Sequence, residues 1–330
     1  MADGPGTSRR AGVLLTNLGT PDAPTPTALR RYLAEFLWDP RVVEAPRPVW
    51  WLVLNGIILR LRPRRSAEAY ARIWTQAGSP LLDIARRQAD ALAVRLGGDV
   101  PVALAMRYGS PSIEAGLTEL RRAGCGRVLV FPLYPQYAAA TGASTLDKVA
   151  QVLRGWRDVP ELRFIRDYHD HPGYLDALAT SVRRYWDENG RGQILLLSFH
   201  GIPRRYADGG DPYPRECERT AKAVAERLEL EPDQWKLTFQ SRFGPQEWLK
   251  PYTDKTLQSL PAEGLTSVDL ICPGFSADCL ETLEENAMTN RDLFLDAGGE
   301  HFGYIPCLND DRAHIDALAD IVEQHLGGWV

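Results

Sequence analysis

Ile194-Leu195-Leu196-Leu197-Ser198-Phe199-His200-Gly201-Ile202-Pro203 is the stretch on which the reading of this chain turns. Four aliphatic residues in a row suit a strand covered on both faces, as in a parallel sheet. Gly-Ile-Pro then turns the chain sharply away. The imidazole of His200 is left at the strand end, exposed to a cleft, where it can accept a proton or bind a metal near neutral pH. A histidine that merely caps the strand or hydrogen-bonds a loop fits the same position equally well.

The pattern repeats outward in both directions. Short apolar runs at Gly12–Leu18, Val102–Met106, Val128–Leu133, Leu162–Ile165, Leu237–Phe239 and Val268–Cys272 read as further strands. Helical patterns lie between them. Ser79-Pro80 and Ser110-Pro111 each offer an N-cap with proline at the first helical position. Ile113, Leu117 and Leu120 recur at helical spacing, as do Ile315, Leu318 and Val322 near the end. Alternation of this kind predicts an α/β protein built from open, doubly wound sheets. At 330 residues the chain is long enough for two cores, at roughly 100–200 residues per domain. No repeat, linker or low-complexity segment interrupts it.

Composition narrows the function. Apolar residues make up 44% and charged residues 25%, which excludes wholesale disorder. Lys and Arg number 38 against 43 Asp and Glu, a net charge of −5, so nucleic acid is not an expected partner. Five scattered cysteines without a C-x-x-C pair signal neither a disulfide framework nor a cysteine-only metal cluster, and predict a cytoplasmic protein. The first ten residues are small, polar and finally basic, with no signal-peptide core after them.

In open α/β folds the reactive groups sit at the carboxyl ends of strands. Dinucleotide, P-loop, serine-hydrolase and zincin motifs are absent from the sequence. What remains is His200 at one strand end and Glu281 beyond another, in Cys272-Pro273-Gly274-Phe275 followed by Ser276-Ala277-Asp278-Cys279-Leu280-Glu281. Glu281 opens an expected helix capped by Asp278, with Glu285 at i+4 on the same face. Such acids commonly do no more than complement a helix N-terminus. An imidazole with carboxylates is, however, a ligand set that suits Fe²⁺. His169 and His171 read as a solvated loop, His301, His314 and His325 as surface residues, and Cys272 and Cys279 as packing beside the turn. Tyr134, Tyr137, Trp74, Tyr108 and Trp248 gather in the same loops and suggest a wide apolar cleft for a flat hydrophobic molecule.

Nine motifs then occur in one order: Leu14-Leu15-Thr16-Asn17-Leu18-Gly19-Thr20-Pro21, Gly78-Ser79-Pro80-Leu81, Met106-Arg107-Tyr108-Gly109-Ser110-Pro111, Pro132-Leu133-Tyr134-Pro135-Gln136-Tyr137, Ser198-Phe199-His200-Gly201-Ile202-Pro203, Gly210-Asp211-Pro212-Tyr213-Pro214, Phe239-Gln240-Ser241-Arg242-Phe243-Gly244, Trp248-Leu249-Lys250-Pro251 and Asp278-Cys279-Leu280-Glu281-Thr282-Leu283-Glu284-Glu285. In these the chain resembles the ferrochelatases, of the proteobacterial protoporphyrin type, over nearly its whole length. The resemblance implies two α/β domains, each with a four-stranded parallel sheet: 1–135 with 308–330, and 136–307, the final helix packing back on the first. It implies a lyase that inserts Fe²⁺ into protoporphyrin IX, the last step of haem synthesis, with loss of two protons. His200 and Glu281 fall on the family's metal-binding and proton-handling positions. Leu18, Arg107, Tyr108, Tyr134, Tyr137 and Trp248 fall where porphyrin contacts are expected. Glu281 and Glu285 resemble the family's acidic ridge, although the next ridge position is Thr289 here. Many relatives have His where this chain has Cys279, so no ligand role passes to that residue.

Iron is expected as a substrate and no permanently bound cofactor is implied. Relatives with a [2Fe–2S] cluster hold it in a C-terminal extension, and the sequence ends at Val330 without one, so no cluster is expected. The alternatives are a chelatase for another tetrapyrrole such as coproporphyrin III, or a non-catalytic haem or metal carrier. A monomer or weak dimer is expected. Finally, Val49–Leu59 is too short to span a membrane, which takes about 20 residues, and a buried core helix would account for it. Its adjacent Trp50 and Trp51, followed by Arg60, Arg62, Arg64 and Arg65, instead predict that residues 49–65 touch the membrane surface reversibly, and the resemblance implies that this segment is a lip covering the porphyrin cleft.

Overall fold

The computed structural model describes residues 10–329. The reading of residues 1–9 as lacking a secretory leader lies outside them. Among the described residues eight strands run in chain order: β1 Arg10–Thr20, β2 Val102–Gly109, β3 Cys125–Pro132, β4 Glu161–Phe164, β5 Ile194–His200, β6 Trp235–Gln240, β7 Ser267–Ile271 and β8 His301–Ile305. They form two parallel sheets of four, ordered β2-β1-β3-β4 and β6-β5-β7-β8, with helices in the connections. The doubly wound expectation is met. β8 escaped the sequence reading because His-Phe-Gly-Tyr-Ile lacks an aliphatic run. It lies at a sheet edge, where only two of its five residues are buried.

Each sheet builds its own compact unit. The first holds the residues up to Tyr134, Ala138–Asp167 and the chain from Ile315 on, and the second holds Pro135–Tyr137 and Tyr168–His314. The expected boundary at 135 is therefore too early. β4 pairs with β3 in the first sheet, and Val149 and Leu153 of the Ser144–Leu153 helix pack into the first core with Leu14, Leu117 and Val130. Hydrogen bonding and burial both hold 138–167 in the first unit. The final segment joins the first unit only from Ile315, not from 308 as expected, because Asn309 is held by Asp278 and in turn holds His314 in the second unit. Beyond that point Arg95 bonds Asp316 and Glu323 of the Arg312–Leu326 helix.

At the carboxyl ends of β1 and β2 the backbones almost touch. Gly19 has φ +110°, and a Cβ there would lie 1.8 Å from the Tyr108 carbonyl oxygen, so only glycine fits. The expected cap at Ser110 is displaced. Ser112 caps the Ile113–Arg122 helix by accepting from the Ala115 N–H at 3.2 Å, while the Pro111 carbonyl accepts from Met106 N–H at 2.6 Å. Ser79 does stand at a helix start, but its hydroxyl bonds Thr20 at 2.8 Å rather than the helix backbone.

Candidate active site

In the second unit, β5 delivers His200 to its carboxyl end, where it stands in register with Gln240 of β6. The His200 Nδ1 lies 2.6 Å from the Gly201 carbonyl. A carbonyl can only accept, so Nδ1 carries a proton and Nε2 is the ring nitrogen left to the site. Gly201 is required beside it, since a Cβ would come within 2.9 Å of the Gln240 carbonyl and 3.2 Å of the Trp248 ring. The ring of Phe275, beyond β7, lies 6.4 Å from the imidazole.

Glu281 opens a ten-residue π-helix, Glu281–Asn290, rather than the expected α-helix. π-Helical segments are uncommon and concentrate at functional sites. Their i→i+5 bonding lengthens the turn slightly, so Glu281 and Glu285 still share a face. Asp278 is not the cap. Its buried carboxylate accepts from Tyr304 at 2.6 Å, Asn309 at 2.8 Å and Thr282 at 3.0 Å, because a buried charge must be satisfied by donors. The Cys279 thiol donates to Glu281 Oε2 at 3.1 Å. Burial, and then the charge of Glu281, pushes this thiol well above its ordinary range, so it stays protonated and keeps donating. Burial likewise pushes Glu285 up to about 7, against the Ser241 hydroxyl and N–H, which both bond its carboxylate and favour its charged form.

Gln240 joins the two strand ends. Its Nε2 donates to the Glu281 carbonyl at 2.9 Å, and its Oε1 accepts from Ser198 of β5 at 2.7 Å and from Asn286 at 2.6 Å. Gln240 thus pairs in register with His200 along the backbone and holds the Glu281 carbonyl with its side chain. Tyr137, in the same unit, has its N–H bound by the buried Glu216 at 2.6 Å. Trp248 is only 4% exposed and packs on Gly201 with its indole N–H on the Phe243 carbonyl, so it buttresses the His200 turn instead of presenting a face.

The remaining expected contacts lie in the first unit. Tyr108 is fully buried, and its hydroxyl donates to Asp39 at 2.9 Å. Arg107 pairs with the same carboxylate and reaches the Ser144 hydroxyl at 2.6 Å. Tyr108 therefore supports Arg107 and is not itself presented. Leu18 and Tyr134 stand half-buried at the ends of β1 and β3. The sequence reading missed Asp39, for which Trp38-Asp39-Pro40 holds no signal. Gln240 and Ser241 lie inside the Phe239–Gly244 motif, where nothing in the local sequence marks their role. Two histidines are corrected: His169 and His314 are buried, one beside Glu216, the other on the Asn309 carbonyl. All five cysteines are buried and free.

Comparison with known proteins decides the family. A family model described as Ferrochelatase matches residues 10–326. A ferrochelatase of Thioalkalivibrio sulfidiphilus is 63% identical over 322 residues, covering 96% of this chain and 87% of the relative. One of Nitrosococcus oceani is 59% identical over 326 residues, covering 98% and 89%. The chain belongs to the ferrochelatase family. Among solved structures, SirB from Bacillus subtilis with Fe3+ superposes with a TM-score of 0.55 at 13% identity, over 75% of this chain and 91% of that one. CbiX, described as the terminal enzyme of siroheme biosynthesis in denitrifying bacteria, gives 0.50 at 15% identity, over 95% and 98%. At such low identity these two bear on the fold, which this ferrochelatase-family chain shares with chelatases.

Proposed function

We propose that His200 and Glu281 carry the metallation in this chain, which as a ferrochelatase inserts Fe²⁺ into protoporphyrin IX, forming protohaem and releasing two protons. Free porphyrin must lose both pyrrole N–H protons as the metal enters, so the site needs a proton acceptor beside a weak divalent site. The Nε2 lone pair of His200 supplies the first, and the Glu281 carboxylate offers oxygen to the ion. The observation that carries this reading is that Gln240 stands in backbone register with His200 at the end of β5 while its side chain holds the main chain of Glu281 beyond β7. Iron is a substrate here, and the reading requires no resident cofactor. An anaerobic assay comparing protoporphyrin IX with coproporphyrin III tests it. Fe²⁺-dependent metalloporphyrin in excess of protein, faster with protoporphyrin, is expected. Stoichiometric binding without turnover would leave a carrier.

A second observation supports a lip that touches the membrane face of the cytoplasm. No described helix is long and apolar enough to cross a membrane. Yet Leu52 and Leu61 are 64% and 72% exposed, with Val49, Trp51 and Ile57 more than half exposed, beside Arg60, Arg62, Arg64 and Arg65. That apolar, basic surface suits reversible contact with anionic head groups. Only Trp51 of the two tryptophans is displayed, because the Trp50 N–H is held by the Leu37 carbonyl at 2.7 Å.

A further inference from the structure

We infer that Gln240 and Ser241, consecutive residues at the carboxyl end of β6, form a clamp that positions both glutamates of the π-helix: Gln240 through the Glu281 carbonyl, Ser241 through the Glu285 carboxylate. The inference rests on the reading that Glu281 serves metallation and extends it to residues outside that pair.

The clamp is built from two unlike contacts. Gln240 is 3% exposed, and both ends of its amide are occupied. Nε2 donates to the Glu281 carbonyl at 2.9 Å, while Oε1 takes the Ser198 hydroxyl and the Asn286 amide. The Asn286 amide itself also reaches the Glu281 carbonyl, at 3.1 Å, one π-helical step along. The carbonyl at the head of the π-helix is thereby bonded from β6 and from its own helix. Gln240 also stands opposite His200 in the β5–β6 register, so the residue that holds the Glu281 carbonyl is paired along the sheet with the histidine.

Ser241 adds the second contact from an unusual conformation. Its φ is +64°, the left-handed region that non-glycine residues avoid. From there its N–H donates to Glu285 Oε1 at 2.7 Å and its hydroxyl to Oε2, one donor to each carboxylate oxygen. An extended serine would carry the chain onward along β6 and could not turn both donors on one carboxylate. The strain is local and its product is a fixed carboxylate one turn from Glu281. Ser241 and Gln240 are positioning residues on this account, since each acts through a glutamate.

Ser241→Gly keeps the positive φ and the N–H donor and deletes only the hydroxyl, so the fold should survive it. Kinetics with Fe²⁺ and protoporphyrin IX, with thermal midpoints, are measured for Ser241→Gly, Glu285→Gln and the double variant. Ser241→Gly should lower kcat about tenfold, the scale of one hydrogen bond to a charged group. Its KM for porphyrin should stay within about twofold, as the hydroxyl is spent on Glu285 and not on ring binding, with the midpoint unchanged. The double variant should lose no more than Glu285→Gln alone. Wild-type kcat in Ser241→Gly, or losses that multiply in the double variant, would overturn the Ser241 arm. Gln240→Met tests the other arm and should lower kcat at unchanged porphyrin KM; a wild-type kcat there overturns it. If Gln240→Met does not fold, Gln240→Asn, which keeps the amide but falls one carbon short of the Glu281 carbonyl, answers the same question. His200→Ala and Glu281→Gln run alongside. Turnover in those two removes the metallation reading and the clamp with it. Their loss combined with wild-type kcat in the clamp variants removes the clamp alone.

Discussion

An imidazole whose Nδ1 proton is held by the Gly201 carbonyl has one nitrogen left for chemistry. His200→Ala should therefore lower metallation by about 10²–10⁴-fold, the usual scale of a lost proton-transfer group. The protein should stay folded and still bind porphyrin, read by fluorescence quenching. Wild-type turnover would remove His200 from the mechanism. Glu281 should matter more than Glu285, because it sits at the head of the π-helix beside the β5 and β6 ends, with the Cys279 thiol on one oxygen. Glu281→Gln keeps the shape and deletes the charge. The assignment fails if Glu285→Gln proves the more damaging change at equal stability. Both residues could be read from sequence, since each stands beside a turn in a chemically conspicuous motif. Cys279 as the donor to Glu281 could not, because i+2 neighbours on an α-helix do not face each other, and only the irregular entry to the π-helix brings them together.

At the scale of elements, the Asp39 carboxylate ties the end of the Pro26–Trp38 helix to Arg107 and Tyr108 of β2 and to Ser144 of the Ser144–Leu153 helix. Asp39→Ala strands a guanidinium that is only 12% exposed, and should cost about 3 kcal/mol in urea unfolding. A loss below about 1 kcal/mol would mean that Arg107 finds solvent. His314, on the Arg312–Leu326 helix, has no exposed surface, and burial pushes it from 6.5 down to about 4. A depressed folded value means that its contribution is whole above 6.5 and is lost as pH falls toward 4. Wild type should lose about 3 kcal/mol between pH 7.5 and 4 through this group, and His314→Gln should flatten that part of the acid limb. Equal acid sensitivity in the two proteins would contradict it. The burial of His314 was illegible in Asp-Arg-Ala-His-Ile-Asp, where polar neighbours surround a residue whose helix face is decided by packing.

At the scale of the whole molecule, the exposed apolar set from Val49 to Leu61 is a surface that suits a partner. Co-sedimentation with anionic vesicles should fall severalfold in Trp51→Ser with Leu52→Ser, and again when salt is raised. Trp50 is left intact because it anchors the segment to Leu37. Binding that is absent in wild type, or indifferent to both changes, would end the membrane reading and leave the metallation assay untouched.

Seven of the eight strands and the parallel sheets followed from the sequence, because buried parallel strands write themselves as aliphatic runs, and the rule that open α/β sheets put chemistry at their carboxyl ends pointed to His200 and Glu281 as candidates. Edge strand β8, the allegiance of residues 138–167, the π-helical form of Glu281–Asn290 and the burial of Tyr108 and Trp248 came only with the tertiary structure. Each depends on a partner distant in sequence. β8 is a strand because β7 bonds it, 138–167 belong where β3 and the first core receive them, and the π-helix keeps its head because Gln240, 41 residues away, holds the Glu281 carbonyl. Local pattern records what a residue can do, and hydrogen-bonding and packing partners brought together by folding decide which of those things it does.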